Sequence, residues 1–71
     1  MHGPATYQIR VEGLLEIKLG QQLEGMNISH TGSGTSVIVG RLEDQAALAG
    51  VMTTLYNLQY PVASVTCLEV G

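Results

Sequence analysis

The alternation of apolar and polar residues near the start of the chain predicts a β-strand. Over Tyr7–Gly13, the residues Tyr7, Ile9 and Val11 fall on one face, and polar side chains fall on the other. Such a strand packs one face on a core and leaves the other exposed. Residues 1–6 precede this pattern and are predicted to be a flexible leader, so the domain is expected to span residues 7–71.

A second alternating pattern predicts a β-hairpin in the middle of the chain. Met26–His30 and Thr35–Gly40 both alternate, and Thr31–Gly34 lies between them. The two glycines of that linker can adopt the positive φ angles that tight turns require.

The last strand is predicted over Val62–Val70 and is apolar on both faces. One face carries Val62, Leu68 and Val70, and the other carries Ala63, Val65 and Cys67. We therefore expect both faces of the sheet to be covered at this strand.

Two segments have helical spacing. Leu14–Leu23 repeats leucine at every fourth position, which predicts a short helix that Gly20 weakens. Asp44 is a favourable N-cap for a second and clearer helix, which Pro61 stops. Its apolar stripe consists of Ala47, Leu48, Val51, Met52, Leu55 and Leu58.

The order of these elements predicts an α+β fold, a ferredoxin-like β-α-β-β-α-β sandwich. Such a sandwich has a four-stranded antiparallel sheet in the order 4-1-3-2 with two helices on one face. The helices cover only one face, so the open face of the sheet is expected to meet solvent or a second subunit.

Composition favours self-association. Apolar residues make up 45% of the chain and charged residues only 13%, against about a quarter charged in typical soluble domains. A homo-oligomer, dimer or higher, is therefore predicted. The candidate interface or ligand residues are Gln8, Arg10, His30, Ser36 and Ile38. All of these except His30 are expected to point outward from the sheet, and an edge strand is the alternative contact surface.

Charge and motif content argue against several functional classes. The net charge is −3 with only three cationic side chains, which cannot form the basic footprint of a nucleic-acid binder. No apolar run is long enough to span a membrane, and no signal peptide is recognisable. The single cysteine, Cys67, fits a reducing cytoplasm. No ligand spacing indicates a metal, so no cofactor is expected.

Individual residues that could carry chemistry lack the partners for it. Gly32–Gly34 joins two strands and has no following lysine, so it is interpreted as a turn rather than a phosphate cradle. His30 has no designated partner, and Cys67 lies in an apolar strand. No catalytic residue is therefore predicted.

One enzyme family shows a faint similarity. Val11–Leu14, followed by Lys18 and Asn27, is similar to the acylphosphatase signature, which implies a phosphate-binding loop after the first strand. The phosphate-binding arginine of that signature is missing here. Without an arginine to hold the phosphate by two hydrogen bonds, most of the acylphosphatase mechanism is lost. This hydrolase therefore stays a minor alternative.

A broader resemblance covers nearly the whole chain after Thr6. The segments Tyr7–Gly13, Glu24–Ile28 and Gly40–Leu48 resemble a family of short, uncharacterised bacterial proteins with a G-x-x-x-D-Q-A-A-L segment. The resemblance implies this fold in a bacterial cytoplasm and supplies no activity. The chain departs from the family by having no tryptophan in its first helical region and Ala49 in place of a histidine.

Two functional hypotheses follow for a protein whose function is otherwise unknown. The first is a non-catalytic, self-associating interaction module. The second is a small-molecule-sensing regulatory module, similar to ligand-binding domains built on the same sandwich. The resemblance to such domains implies a ligand at a subunit interface near Gly13–Glu16, with His30 and Gly32–Gly34 as further candidates.

Overall fold

The computed structural model describes residues 3–71 and shows an α+β fold with one four-stranded antiparallel sheet. The elements, in chain order, are β1 (Ala5–Glu12), a 3₁₀-helix (Ile17–Gln22), β2 (Asn27–His30), β3 (Thr35–Leu42), α1 (Gln45–Asn57) and β4 (Val62–Val70). The strand order across the sheet is β2-β3-β1-β4. The predicted antiparallel sheet and its 4-1-3-2 order are confirmed.

The first helical region differs from its prediction. The α-helix expected over Leu14–Leu23 is a six-residue 3₁₀-helix, so the sheet carries one α-helix and not two. The Gly20 carbonyl accepts hydrogen bonds from the N–H groups of both Leu23 and Gly25 and so closes the segment. A 3₁₀-helix is common where a helical pattern is too short to propagate.

The start of β1 also differs from its prediction. Strand β1 begins at Ala5, whose side chain is fully buried, so the last two residues of the predicted leader belong to the sheet. Residues 1 and 2 of that leader lie outside the described residues.

The core lies between the sheet and the helical segments. Along β1 the odd-numbered positions are buried, and in the β1–β3 register Ile9 stands opposite the buried Ile38. The buried apolar side chains are Ala5, Tyr7, Ile9, Val11, Leu15, Leu23, Met26, Ile28, Ile38, Leu42, Val51 and Leu55. Two of them come from α1, and Ala47, Leu48 and Met52 of the same helix pack against this core while partly buried.

Both ends of α1 have defined caps. The predicted N-cap is confirmed, because the Asp44 carboxylate accepts a 2.9 Å hydrogen bond from the Ala47 N–H. At the other end the Tyr60 N–H donates to the Leu55 carbonyl at 3.0 Å, and Gln59 has a φ of 65°. This is the geometry of a Schellman motif, with glutamine at the left-handed position where glycine is favoured.

Replacing Gln59 with glycine should raise the free energy of unfolding by about 0.5–1 kcal/mol. The substitution relieves the steric cost of a left-handed residue, and part of the gain is offset by the greater entropy of glycine in the unfolded chain. Urea denaturation at fixed protein concentration measures the change. The matched control is Ala49→Gly inside α1, which should lower stability by about 1 kcal/mol. A loss of stability in both variants would contradict the capping role.

Candidate functional site

The loop after β1 is tied down by a buried serine on the neighbouring strand. The Ser36 hydroxyl accepts a 2.8 Å hydrogen bond from the Leu15 N–H and donates one of 2.7 Å to the Gly13 carbonyl. The Ser36 side chain is fully buried, and both of its bonds lead to the same loop. One hydroxyl thus satisfies two backbone groups that have no partner within a strand or helix.

His30 holds the same loop from β2. Its Nε2 lies 2.6 Å from the Leu15 carbonyl oxygen. A carbonyl only accepts, so Nε2 carries the hydrogen of this bond. The histidine and the serine predicted as separate candidates therefore come together at Leu15, where their described bonds hold the backbone.

The turn predicted as a further ligand candidate is bonded to itself. The Thr31 hydroxyl lies 2.9 Å from that of Ser33, and the Thr31 N–H donates to the Thr35 carbonyl at 3.0 Å. These bonds close the hairpin between β2 and β3.

The placement predicted for the outward residues of the sheet is half wrong. Gln8 and Arg10 do lie on the open face, opposite Val39 and Val37 of β3. Ser36 and Ile38, by contrast, are fully buried on the helix-side face, opposite Val11 and Ile9 of β1. The reason is that opposed residues share a face, and the buried face of β1 fixes the face of β3. The open face that results is mainly polar.

Three exposed large apolar side chains lie together on β4, at one edge of the sheet; the others in the described residues are Leu14, Ile17, Tyr56 and Leu58. Every residue of this nine-residue strand after Val62 is exposed. Val65, Leu68 and Val70 expose 41%, 51% and 75% of their surface, and the Cys67 thiol is free and exposed. The strand carries one charged residue, Glu69. An edge strand this long with so little charge is unusual, because such edges template pairing with another chain.

Two register shifts decide which way the β4 side chains point. The pairing with β1 is irregular between Thr6 and Tyr7 and again between Arg10 and Val11, so β4 is bulged at both places. Four β4 residues consequently lie opposite buried β1 residues and share the helix-side face: Val62, Val65, Cys67 and Val70. The predicted division of this strand into two apolar faces is therefore wrong, because simple alternation cannot include the bulges.

An aromatic groove adjoins the start of β4. Two adjoining depressions of about 520 and 410 Å³ share the side chains of Tyr56, Tyr60 and Pro61. The smaller one also contacts Met52 of α1 and Val62 of β4. Tyr56 is 80% exposed, although it belongs to the helix that covers the sheet. The sequence gives one signal for this groove, the spacing of two tyrosines around the helix end.

Other kinds of site are not found in residues 3–71. No three His, Cys, Asp or Glu side chains in this part of the chain lie close enough together to hold a metal ion. In the same residues, no helix has both the length and the apolar character needed to cross a bilayer.

Comparison with known proteins gives a family and no activity. A family model described as "Domain of unknown function (DUF8691)" matches residues 6–66. The chain belongs to this family. The DUF8691 match begins at the second residue of β1 and includes all of the 3₁₀-helix, β2, β3 and α1. It ends within β4. No curated protein and no solved structure matches the chain. The function of this DUF8691 protein must therefore be argued from its own surface.

Proposed function

We propose that this DUF8691 protein is a non-catalytic, self-associating interaction module, and that its contact is the free edge of β4. In this proposal β4 of one copy pairs with β4 of a second copy, and the two sheets join into one of eight strands. The observation that carries the proposal is the exposure of β4, a nine-residue edge strand with three large apolar side chains in water.

The edge has only one of the usual protections against pairing, its two bulges. Natural edge strands are blunted by lysine, by proline within the strand, by bulges, by shortness or by covering segments. Strand β4 has no lysine and no proline, and Glu69 near its end is its one charge. The other edge strand, β2, is only four residues long and is thus blunted by its shortness.

A second copy of this chain is the partner that the surface favours. A two-fold axis brings the same patch to both sides of an interface, so an apolar strand meets an equally apolar strand. The low fraction of charged residues over the whole chain, 13%, fits a protein with part of its surface buried in an assembly.

The ligand-sensing alternative has weaker support. It depends on His30 and the loop at Gly13–Glu16, and the imidazole Nε2 is hydrogen-bonded to the Leu15 carbonyl. The acylphosphatase-like alternative is weaker still. Asn27 stands opposite Val39 on the open face, whereas the loop after β1 is bonded to Ser36 on the other face.

We also propose that the fold is a reduced ferredoxin-like sandwich and that the protein acts in the bacterial cytoplasm. The strand order supports the first, with the 3₁₀-helix in the place of the first α-helix. The free, exposed Cys67 supports a reducing compartment, since exposed thiols persist where disulfides are rare.

The test of self-association is the molar mass in solution with and without an altered edge. Light scattering after size exclusion should give twice the monomer mass for the wild-type chain, and the monomer mass for Val65→Lys at equal concentration. Val65 is already 41% exposed, so lysine can reach water without unfolding the strand, and its charge opposes pairing. The matched control, Ala49→Lys on the exposed side of α1 and outside the groove, should stay dimeric. A wild-type chain that stays monomeric at the highest concentration would overturn the proposal.

A further inference from the structure

We infer that two copies of β4 pair antiparallel about a two-fold axis beside Thr66, so that Thr66 stands opposite Thr66 of the second copy. This inference rests on the proposed self-association and specifies its register. It is carried by the hydrogen-bonding pattern of β4 and the positions of its two bulges.

The backbone groups of β4 alternate between β1 and the free edge. In an antiparallel ladder, pairs that exchange hydrogen bonds alternate with pairs that do not. The Glu12 N–H donates to the Pro61 carbonyl at 2.9 Å, and the Gly71 N–H donates to the Pro4 carbonyl at 2.9 Å. Both ends of the ladder therefore belong to bonded pairs, and counting inward from either end through the register gives the same alternation. Four residues turn their N–H and C=O groups outward: Val62, Val65, Cys67 and Val70.

These outward positions are symmetric about Thr66. Val65 and Cys67 lie one residue to either side of it, and Val62 and Val70 lie four residues to either side. The bulges that create this spacing leave Ala63 and Leu68 without partners on β1. An antiparallel two-fold pair requires such symmetry, because each residue must meet the residue at the mirrored distance from the axis.

The register matches every outward group with another. Val65 stands opposite Cys67 of the second copy, and each such pair exchanges two hydrogen bonds. Val62 stands opposite Val70 of the second copy in the same way. An axis at any other residue of β4 leaves at least one of these four outward residues opposite a residue that is not outward-facing.

The side-chain positions on β4 support the same register as the backbone hydrogen bonds. All four outward residues also share the helix-side face, so the interface joins an apolar row to an apolar row. Val70 of the second copy comes to lie beside Val62, which lines the groove formed with Met52, Tyr56 and Tyr60. The groove and the 75% exposure of Val70 thus have one explanation, in which the valine of each copy enters the groove of the other. On the opposite face the two Thr66 side chains meet as a threonine pair.

Disulfide trapping tests the register, because a disulfide requires Cα atoms within about 7 Å. The double variant Thr66→Cys, Cys67→Ser should convert from monomer to dimer on a non-reducing gel under mild oxidation, since directly opposed Cα atoms in such a pair are about 4.5 Å apart. The wild-type Cys67 meets its own counterpart only diagonally, at about 7–8 Å, and should stay largely unlinked. The matched control Ser64→Cys, Cys67→Ser places its thiols farther apart still and should remain monomeric on the gel.

Light scattering on the same samples distinguishes self-association from the register of the strand pair. A dimer in solution that is trapped at position 64 or 67 and not at 66 would overturn the register and leave self-association intact. Monomers throughout, with no trapping, would overturn both. A dimer trapped at 66 alone is the result we expect.

Discussion

Replacing Ser36 with alanine should lower the free energy of unfolding by about 2–4 kcal/mol, the largest loss we expect from removing a single atom of this protein. The variant leaves the Leu15 N–H and the Gly13 carbonyl without their partner inside the fold. An unsatisfied buried backbone group costs about 1–3 kcal/mol, and alanine cannot supply either bond. Urea denaturation at fixed protein concentration measures the loss, and amide hydrogen exchange at Leu15 should become faster.

A second serine on the adjacent strand provides the control. Ser29 lies on the open face of β2 and is exposed, so Ser29→Ala should change stability by less than about 0.5 kcal/mol. If Ser36→Ala proved as mild as the control, the loop after β1 would not depend on this hydroxyl.

Gly20→Ala should destabilise the protein by about 3 kcal/mol or more. A Cβ at this position would overlap the backbone carbonyl oxygen of Met26, and it would also come within 3.9 Å of the Ile28 side chain. Overpacking a buried site usually costs about 1–3 kcal/mol, and the cost is higher where the obstructing atom belongs to the backbone and cannot rotate away. Thermal unfolding followed by circular dichroism should show a drop in Tm of more than about 10 °C.

Gly50→Ala is the matched substitution with the opposite sign. Gly50 is exposed in the middle of α1, and a Cβ there meets no atom within 4 Å. Alanine should therefore raise stability by about 1 kcal/mol, through helix propensity alone. Equal changes in stability for Gly20→Ala and Gly50→Ala would show that close packing does not require a glycine at position 20.

The elements of this fold could be predicted because local signals for most of them agree. Strand β4 has the predicted bounds, and the Asp44 cap marks the start of α1 as expected. The strand order also follows, since handedness and element order leave few arrangements. A short leucine repeat with a glycine inside it gave too strong a signal for an α-helix, because close packing on Met26 was not visible in the chain.

The candidate surface could be predicted only in part. The sequence identified β4 as a strand with excess apolar residues, but it assigned the excess to the open face of the sheet. Strand β3 has apolar residues at odd-numbered positions, Val37 and Val39, and at an even-numbered position, Ile38. Alternation alone therefore could not show which face of this strand is buried. The choice depends on the long-range pairing of Ile38 with Ile9. The bulges of β4 depend in the same way on β1 and leave no local signal.

The position of β1 in the sheet has a consequence for how the chain is made. Within the described fold β1 is the first strand to be synthesised, and one of its two neighbours, β4, is the last. Pairing them closes a loop of almost the entire chain, which makes it a slow, non-local step. Until β4 has been synthesised, one side of β1 has no pairing strand from its own chain. In that interval β4 of another molecule can pair with the same side of β1, which is a route to strand exchange between copies.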